Sequence, residues 1–482
     1  MNVILKKANN KKGDDIMATY IDYIRKRLKG NSDFKDRIIH CDNGHIHIFY
    51  IDNLCDSTFI SEFIITPLMR SKNITPDENI IEHEILYGTN IGHISKKDDA
   101  LFHILSGDVV ISFDFMDSVI FCEAKGFSKR SISIPITETV IKGPREGFTE
   151  VLADNLSMIR RRIKSPYFEV ETKTIGRESN TTIAILYMKH SAPDELVHYV
   201  QERINNIRLD FLLDTNYLEE QLKCSGTFFD TIGYTEKPDI AASKLFEGKI
   251  AILVDGTPFA ITAPYFFWEN FQMADDYYLN KYFTNSTRIL RIIAFLIAVF
   301  SPGIYLALNT YHFSLIPIEF VFRLASSRAD VPIPTVIEVL VMSFFFQLLR
   351  EAGIRLPQPI GQAMSIVGAL ILGQSAVGSG LAAQSTVVII ALSSIASFLA
   401  PKLSSVVFTW SILIIFFSSL LGLIGFFMGL YIMVAHIASL NSCGYPYFLP
   451  VSTTHKLSYK DTIVRDDLNN ISKDILIEDD DE

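Results

Sequence analysis

Apolar sequence is confined to one half of this chain. Up to Arg288 the residues read as ordinary soluble protein; beyond it, long apolar runs follow one another almost to residue 440. A helix needs about 20 consecutive apolar residues to cross a bilayer core. The division therefore dictates a soluble body followed by a membrane body.

Within the second half, the stretch from Thr335 to Gln384 is the most telling. Its first apolar segment, Thr335 to Leu349, carries Glu338 near its start and Gln347 deep inside, and Arg350, Glu351 and Arg355 follow at its end. A carboxylate among lipid tails is costly, so Glu338 is expected to face protein or a pore, with an interfacial position as the alternative. No basic residue lies within one turn of it. Pro357 and Pro359 end the helix, and Pro357 with Arg350, Glu351 and Arg355 reads as a structural elbow, Glu351 pairing with Arg355 at i, i+4. The second segment, Ile360 to Leu381, repeats Ser365, Ala369 and Gly373 every four residues. Such a flat face lets helices approach closely in lipid. Val377 continues that face as its first bulky apolar residue, with Gln374 and Ser375 beside it. Val377 is a candidate gate that closes by dewetting, or a packing residue within one subunit.

The remaining apolar runs complete an all-α polytopic membrane domain over 286–440, of about five spans plus one re-entrant or interfacial helix. Pro302-Gly303 should kink the first span. SLIPIEFVFRLASS is too short and too charged to cross, and its Glu319 and Arg323 can pair. Residues 404–440 are either one tilted span or two broken near Gly422 to Gly425. Arg288 and Arg291 before the first span, and the lack of an opening signal peptide, predict a cytoplasmic N-terminal side.

The soluble half reads as α/β (α+β), in two subdomains over 41–140 and 141–285, after a polar segment 1–40. Strands are expected at His45 to Asp52 and in DVVISFDF, SVIFCEA and TTIAILYMKH. A helix should start at Pro144 and run to Ile163, and Asp255-Gly256 should close a hairpin. Residues 441–482 read as a polar, acidic tail ending in EDDDE.

Net charge −10 argues against nucleic acid as a partner. Five cysteines without a CxxC suit a reducing compartment. His40, Cys41, His45, His47 and Cys55 lie close in sequence but match no zinc spacing. GPREGF could hold an anion with Arg145 at a helix start or be a plain turn. The run Arg160 to Arg162 could grip lipid or a neighbouring subunit, or be a solvated helix end. GQSAVGSG lacks the lysine of a phosphate loop. With no nucleophile elbow and no HExxH, catalysis has no positive support, and no cofactor or metal is expected.

Several blocks resemble the A subunits of nutrient germinant receptors of bacterial endospores, the GerA type: GPREGFTEVLADN with IRRRI, TEKPD with LFEGKIAILVDGTPF, DDYY, LLREAGIRLP, SIVGALILGQSAVGSG and GYPYFLP. The resemblance spans about residues 40 to 451. It implies a multi-pass protein of the spore inner membrane with its N-terminal region in the cytoplasm. It also implies a homo-oligomer of A subunits, assembled with a permease-like B subunit and a C lipoprotein, in which the A subunit forms a nutrient-gated channel for monovalent cations. A non-conducting scaffold and a secondary transporter are the competing readings; no internal repeat with matched broken helices supports the transporter. Two positions depart from the family pattern: Gln347 stands where a carboxylate is usual, and Lys237 where arginine is usual.

Overall fold

The computed structural model describes residues 20–71, 76–88, 90–116, 118–126, 138–355, 368, 371–451 and 461–471. The soluble half builds two five-stranded antiparallel sheets. The first contains β1 (Phe34–Cys41), β2 (Gly44–Ile51), β3 (Ile91–Ile94), β4 (Asp108–Phe113) and β5 (Val119–Glu123), in the order β1-β2-β4-β5-β3. Alternation along β2 divides its side chains between two cores. Ile46 and Ile48 join Ile64 and Leu68 on one face. Phe49 and Ile51 join Leu28 of helix α1 (residues 20–28) and Leu101 of α2 (Lys97–Leu105) on the other. The polar segment 1–40 thus supplies α1, whose Ile21, Ile24 and Leu28 cover the sheet, and most of β1.

The second sheet contains β6 (Phe168–Ile175), β7 (Thr181–Met188), β8 (Gly233–Thr235), β9 (Ile250–Val254) and β10 (Ala260–Ala263), ordered β6-β7-β9-β10-β8. Both sheets share one topology: an opening hairpin, a third strand at the far edge, and a closing hairpin between them. In β9, Ile250, Ile252 and Val254 face α4 (Asp194–Asn205) and α5 (Asn216–Leu222). Ala251 and Leu253 face α3 (Leu152–Arg162) and α6 (Pro238–Phe246).

Helix α3 begins at Leu152, not at Pro144 as expected. Asp255 of the predicted hairpin fixes that start, its Oδ1 accepting from the Leu152 N–H at 3.1 Å. The GPREGF stretch before it is irregular. Its Pro144 carbonyl accepts from Lys237 Nζ at 2.6 Å, Arg145 is exposed, and Glu146 accepts from Arg161 and, at 2.5 Å, from Arg162. Arg160 is fully buried. It donates to both Asp33 oxygens, at 3.0 and 2.8 Å, and to Asn31 Oδ1 at 2.7 Å. Arg160 therefore joins the two sheets, while Arg161 and Arg162 pair with Glu146 in their own subdomain.

The second half is helical: α7 (Lys281–Thr310), α8 (Ile318–Arg328), α9 (Thr335–Arg355), a helical segment over 371–378, α10 (Gln384–Ser397), α11 (Ser404–Leu421) and α12 (Leu423–Ser439). Among the described residues, two helices are long and apolar enough to cross a membrane: Lys281–Thr310 and Pro401–Leu421, which includes the turn before α11. Helices α10 and α12 are apolar but shorter, at 14 and 17 residues.

Helix α7 runs unbroken through Pro302. A proline leaves the carbonyl four residues earlier without its donor; here Ser393 Oγ donates to the Ala298 carbonyl at 2.7 Å in its place. Next to it, Gly303 admits α11: a Cβ there would lie 2.6 Å from Ile414 Cγ2. Gly422 (φ 62°) ends α11 and starts α12. The two helices then lie side by side, Gly429 of α12 returning to Ile414 of α11. The stretch 404–440 is a helical hairpin rather than one tilted helix.

Residues 441–451 are not a polar tail. Cys443 and Leu449 complete the core of the second sheet, and Tyr447 is buried against Phe267. Residues 461–471 dock on the root of α7. There Asp461 Oδ1 accepts from Arg288 at 2.5 Å, and Asp276 receives both Arg291 Nη atoms, at 2.8 and 2.6 Å. The EDDDE end lies outside the described residues.

Candidate functional site

Polar groups gather at the N-terminal end of α10. Glu338, one turn into α9, is fully buried. Its Oε1 accepts the backbone N–H of Ala383 at 2.6 Å, while Oε2 has no hydrogen-bond partner. The sequence offered this carboxylate no nearby cation, and its partner proves to be a helix terminus. The first amides of a helix are unsatisfied and carry its positive dipole end. Glu338 serves α10 as a cap supplied from another helix.

Hydroxyls extend the cluster. Tyr305 Oη of α7 lies 2.9 Å from Ser385 Oγ and 3.0 Å from Thr386 Oγ1. Asn309 Nδ2 donates to Tyr305 Oη at 3.4 Å, and Ser327 Oγ of α8 lies 3.5 Å from Ser385 Oγ. Four helices thus meet at one polar point inside apolar surroundings. Sequence reading missed Tyr305, Thr386 and Ser393. The signal was present in α10, where Thr386, Ile390, Ser393 and Ser397 recur at helical spacing and form its buried face.

The other expected site residues are not brought to this point. Gln347 is half-buried farther along α9. Arg350 does not join an elbow network: it donates to Ser397 Oγ at the far end of α10, and its guanidinium lies 4.8 Å from the Phe398 ring centroid. Arg355 Nη2 pairs with Glu351 Oε1 at 2.6 Å, with both side chains exposed. In 371–378, Ala376 packs inward beside Leu306 and Val339. Gly373 lies against Val387, where a Cβ would meet Cγ1 at 3.6 Å. Gln374 and Ser375 are exposed, and Val377 keeps 38% of its surface exposed. Ala369 and Pro357 lie outside the described residues. Glu338 is thus buried, whereas Gln374, Ser375 and Val377 face outward on this chain.

Among the described residues, no group of three or more His, Cys, Asp or Glu could hold a metal. His40 and His45 lie side by side, Nδ1 to Nδ1 at 2.8 Å.

A family profile described as Bacillus/Clostridium GerA spore germination protein matches residues 22–474. The chain belongs to the GerA family. It is 37% identical over 459 residues to spore germination protein KA of Bacillus subtilis (strain 168), covering 93% of this chain and 84% of that protein. It is 32% identical to spore germination protein GerLA of Bacillus cereus, covering 87% and 86%. A crystal structure of the N-terminal domain of the A subunit of the Bacillus megaterium spore germinant receptor GerK3 aligns at 29% identity and a TM-score of 0.41, covering 51% of this chain and 94% of that one.

Proposed function

We propose that this protein is the A subunit of a nutrient germinant receptor, and that copies of it assemble in the spore inner membrane into a nutrient-gated channel releasing monovalent cations. The germination role rests on the named relatives. The conduction reading is carried by Glu338, an ionisable side chain held among apolar helices with one oxygen unpartnered. Such a group is expensive in a membrane and marks ion pathways. Gln374, Ser375 and Val377 are turned outward on this chain and line the surface that faces another copy, with Val377 as the gate. The permease-like B subunit and the C lipoprotein complete the receptor, and the soluble half stays on the cytoplasmic side.

The test is cation flux from liposomes holding the assembled receptor, recorded on addition of nutrient. Glu338→Gln keeps an acceptor for the Ala383 N–H and removes the charge; it is expected to cut flux at unchanged receptor abundance. Val377→Ala is expected to leak without nutrient. Wild-type liposomes that signal without any cation flux would leave the non-conducting scaffold as the function.

A further inference from the structure

Helix α7 sets the depth of whatever is attached to its far end. Its root is pinned to the soluble half, Arg288 and Arg291 holding Asp276 and Asp461. From Arg291 to Thr310 the helix rises about 29 Å, which matches the hydrocarbon core of a bilayer, about 30 Å thick. In a bilayer crossed by α7, the turn Phe313–Leu315 and α8 therefore stand at the phosphates of the leaflet opposite the soluble half. Their side chains suit that level. Phe313, Leu315, Ile318, Phe320 and Phe322 are large, apolar and exposed, as in helices that lie along a membrane surface.

A cleft of about 310 Å³ opens between the end of α7 and α8. Phe313, Ile316, Val321 and Leu324 give it apolar walls, and its polar groups are the Asn309 amide and the Arg328 guanidinium. Arg328 is half-buried, and its guanidinium makes no hydrogen bond or ion pair among the described residues. Its Nε is enclosed, so the terminal nitrogens are the edge it offers to a ligand. Glu319 and Asp330, the carboxylates nearest in sequence, do not line the cleft and form no ion pair among the described residues. Glu319 thus does not pair with Arg323 as expected. An arginine beside lipid tails is costly unless it meets an anion or water, and its planar fork matches two phosphate oxygens.

We propose that this cleft binds a phospholipid of the leaflet opposite the soluble half, the Arg328 terminal nitrogens donating to its phosphate and an acyl chain lying against Phe313 and Ile316. The site rests on α7 crossing the bilayer and not on ion conduction.

The probe is palmitoyl-oleoyl phosphatidylglycerol, titrated into the full chain in dodecyl maltoside micelles, with Tm read against each variant's own lipid-free value. The diacylglycerol with the same chains lacks the phosphate, and inorganic phosphate lacks the chains. Phosphatidylglycerol is expected to raise Tm to a plateau, and the other two at equal concentration are not. Arg328→Gln should raise the half-maximal lipid concentration at least about tenfold. Arg323→Gln, exposed on the same helix outside the cleft, should leave it unchanged. A plateau reached equally with diacylglycerol, or equally with inorganic phosphate, would overturn the proposal, as would an Arg328→Gln midpoint equal to that of the wild type. Recovery of the chain in the membrane fraction is scored separately. Its absence there would remove the span on which the site depends, whereas a flat titration of membrane-recovered protein overturns the lipid site alone.

Discussion

Arg160 carries the joint between the two sheets. Its guanidinium, fully buried, spends its donors on Asp33 and Asn31, which lie well over a hundred residues earlier in the chain. Removing one partner of a buried pair leaves the other charge uncompensated, at a cost of about 3–5 kcal/mol. Arg160→Met is therefore expected to lower the unfolding free energy of the soluble half by that amount, and Arg160→Met with Asp33→Leu to recover much of it. Hydrogen exchange in β1 and β6 would report both. Sequence could not separate Arg160 from Arg161 and Arg162, because three adjacent arginines on a helix point in three directions and only the packed fold says which points inward. A second residue-scale consequence concerns Glu219. Burial, reinforced by the nearby Asp230 carboxylate, lifts its carboxyl from 4.5 to about 7. A raised pKa means that the protonated form is the one the fold favours. That contribution is complete below pH 4.5 and is lost as pH rises through 7. Glu219→Gln should leave Tm unchanged at pH 4 and raise it at pH 8; a lower Tm at pH 8 would count against this account.

Elements were legible where periodicity and breakers agreed. Alternation along His45 to Asp52 pointed to a strand, found as β2, and Asp255-Gly256 marked a hairpin. The start of α3 was misplaced because Pro144 carries the local signal for a first helical turn, whereas the deciding contact, the Asp255 carboxylate, comes from a hairpin a hundred residues away. Composition could not choose between one helix and two over 404–440; Gly422, in a conformation that L side chains rarely adopt, makes the corner. The crossing of α7 and α11 is equally specific. Gly303 leaves no room for a side chain beside Ile414 and Ser418. Gly303→Ala should destabilise the helical half by about 1–3 kcal/mol through overpacking. Ile414→Ala in the same chain should restore part of that loss, a coupling that a double-mutant cycle on detergent-solubilised protein would detect. Simple additivity of the two changes would show that the helices do not meet there.

At the scale of the whole molecule, the soluble and helical halves are joined by two carboxylates, each held by more than one cation. Asp276 receives Arg288 and Arg291 at the root of α7. Glu269, in the turn just before, receives Lys249, the residue before β9, at 2.6 Å and Lys244 from α6 at 2.9 Å. The sequence named Arg288 and Arg291 as flanking charges and quoted DDYY as a motif, but neither reading revealed that they are partners. Nor did it foresee that the C-terminal segment returns to share Arg288 through Asp461. Contacts closed by residues far apart in sequence leave no periodic trace. Burial opposes ionisation of Glu269, but the two lysine ammoniums outweigh it and bring its carboxyl from 4.5 down to about 2. A depressed pKa means the reverse of the Glu219 case: the contribution is complete above pH 4.5 and is lost as pH falls toward 2. Acid titration of the full chain should therefore loosen the junction between pH 4.5 and 2, read as rising proteolysis between β10 and α7. Glu269→Gln should show that loosening already at pH 7 and little further change across the acid window. A variant that tracked the wild type through the whole titration would place the acid-sensitive joint elsewhere.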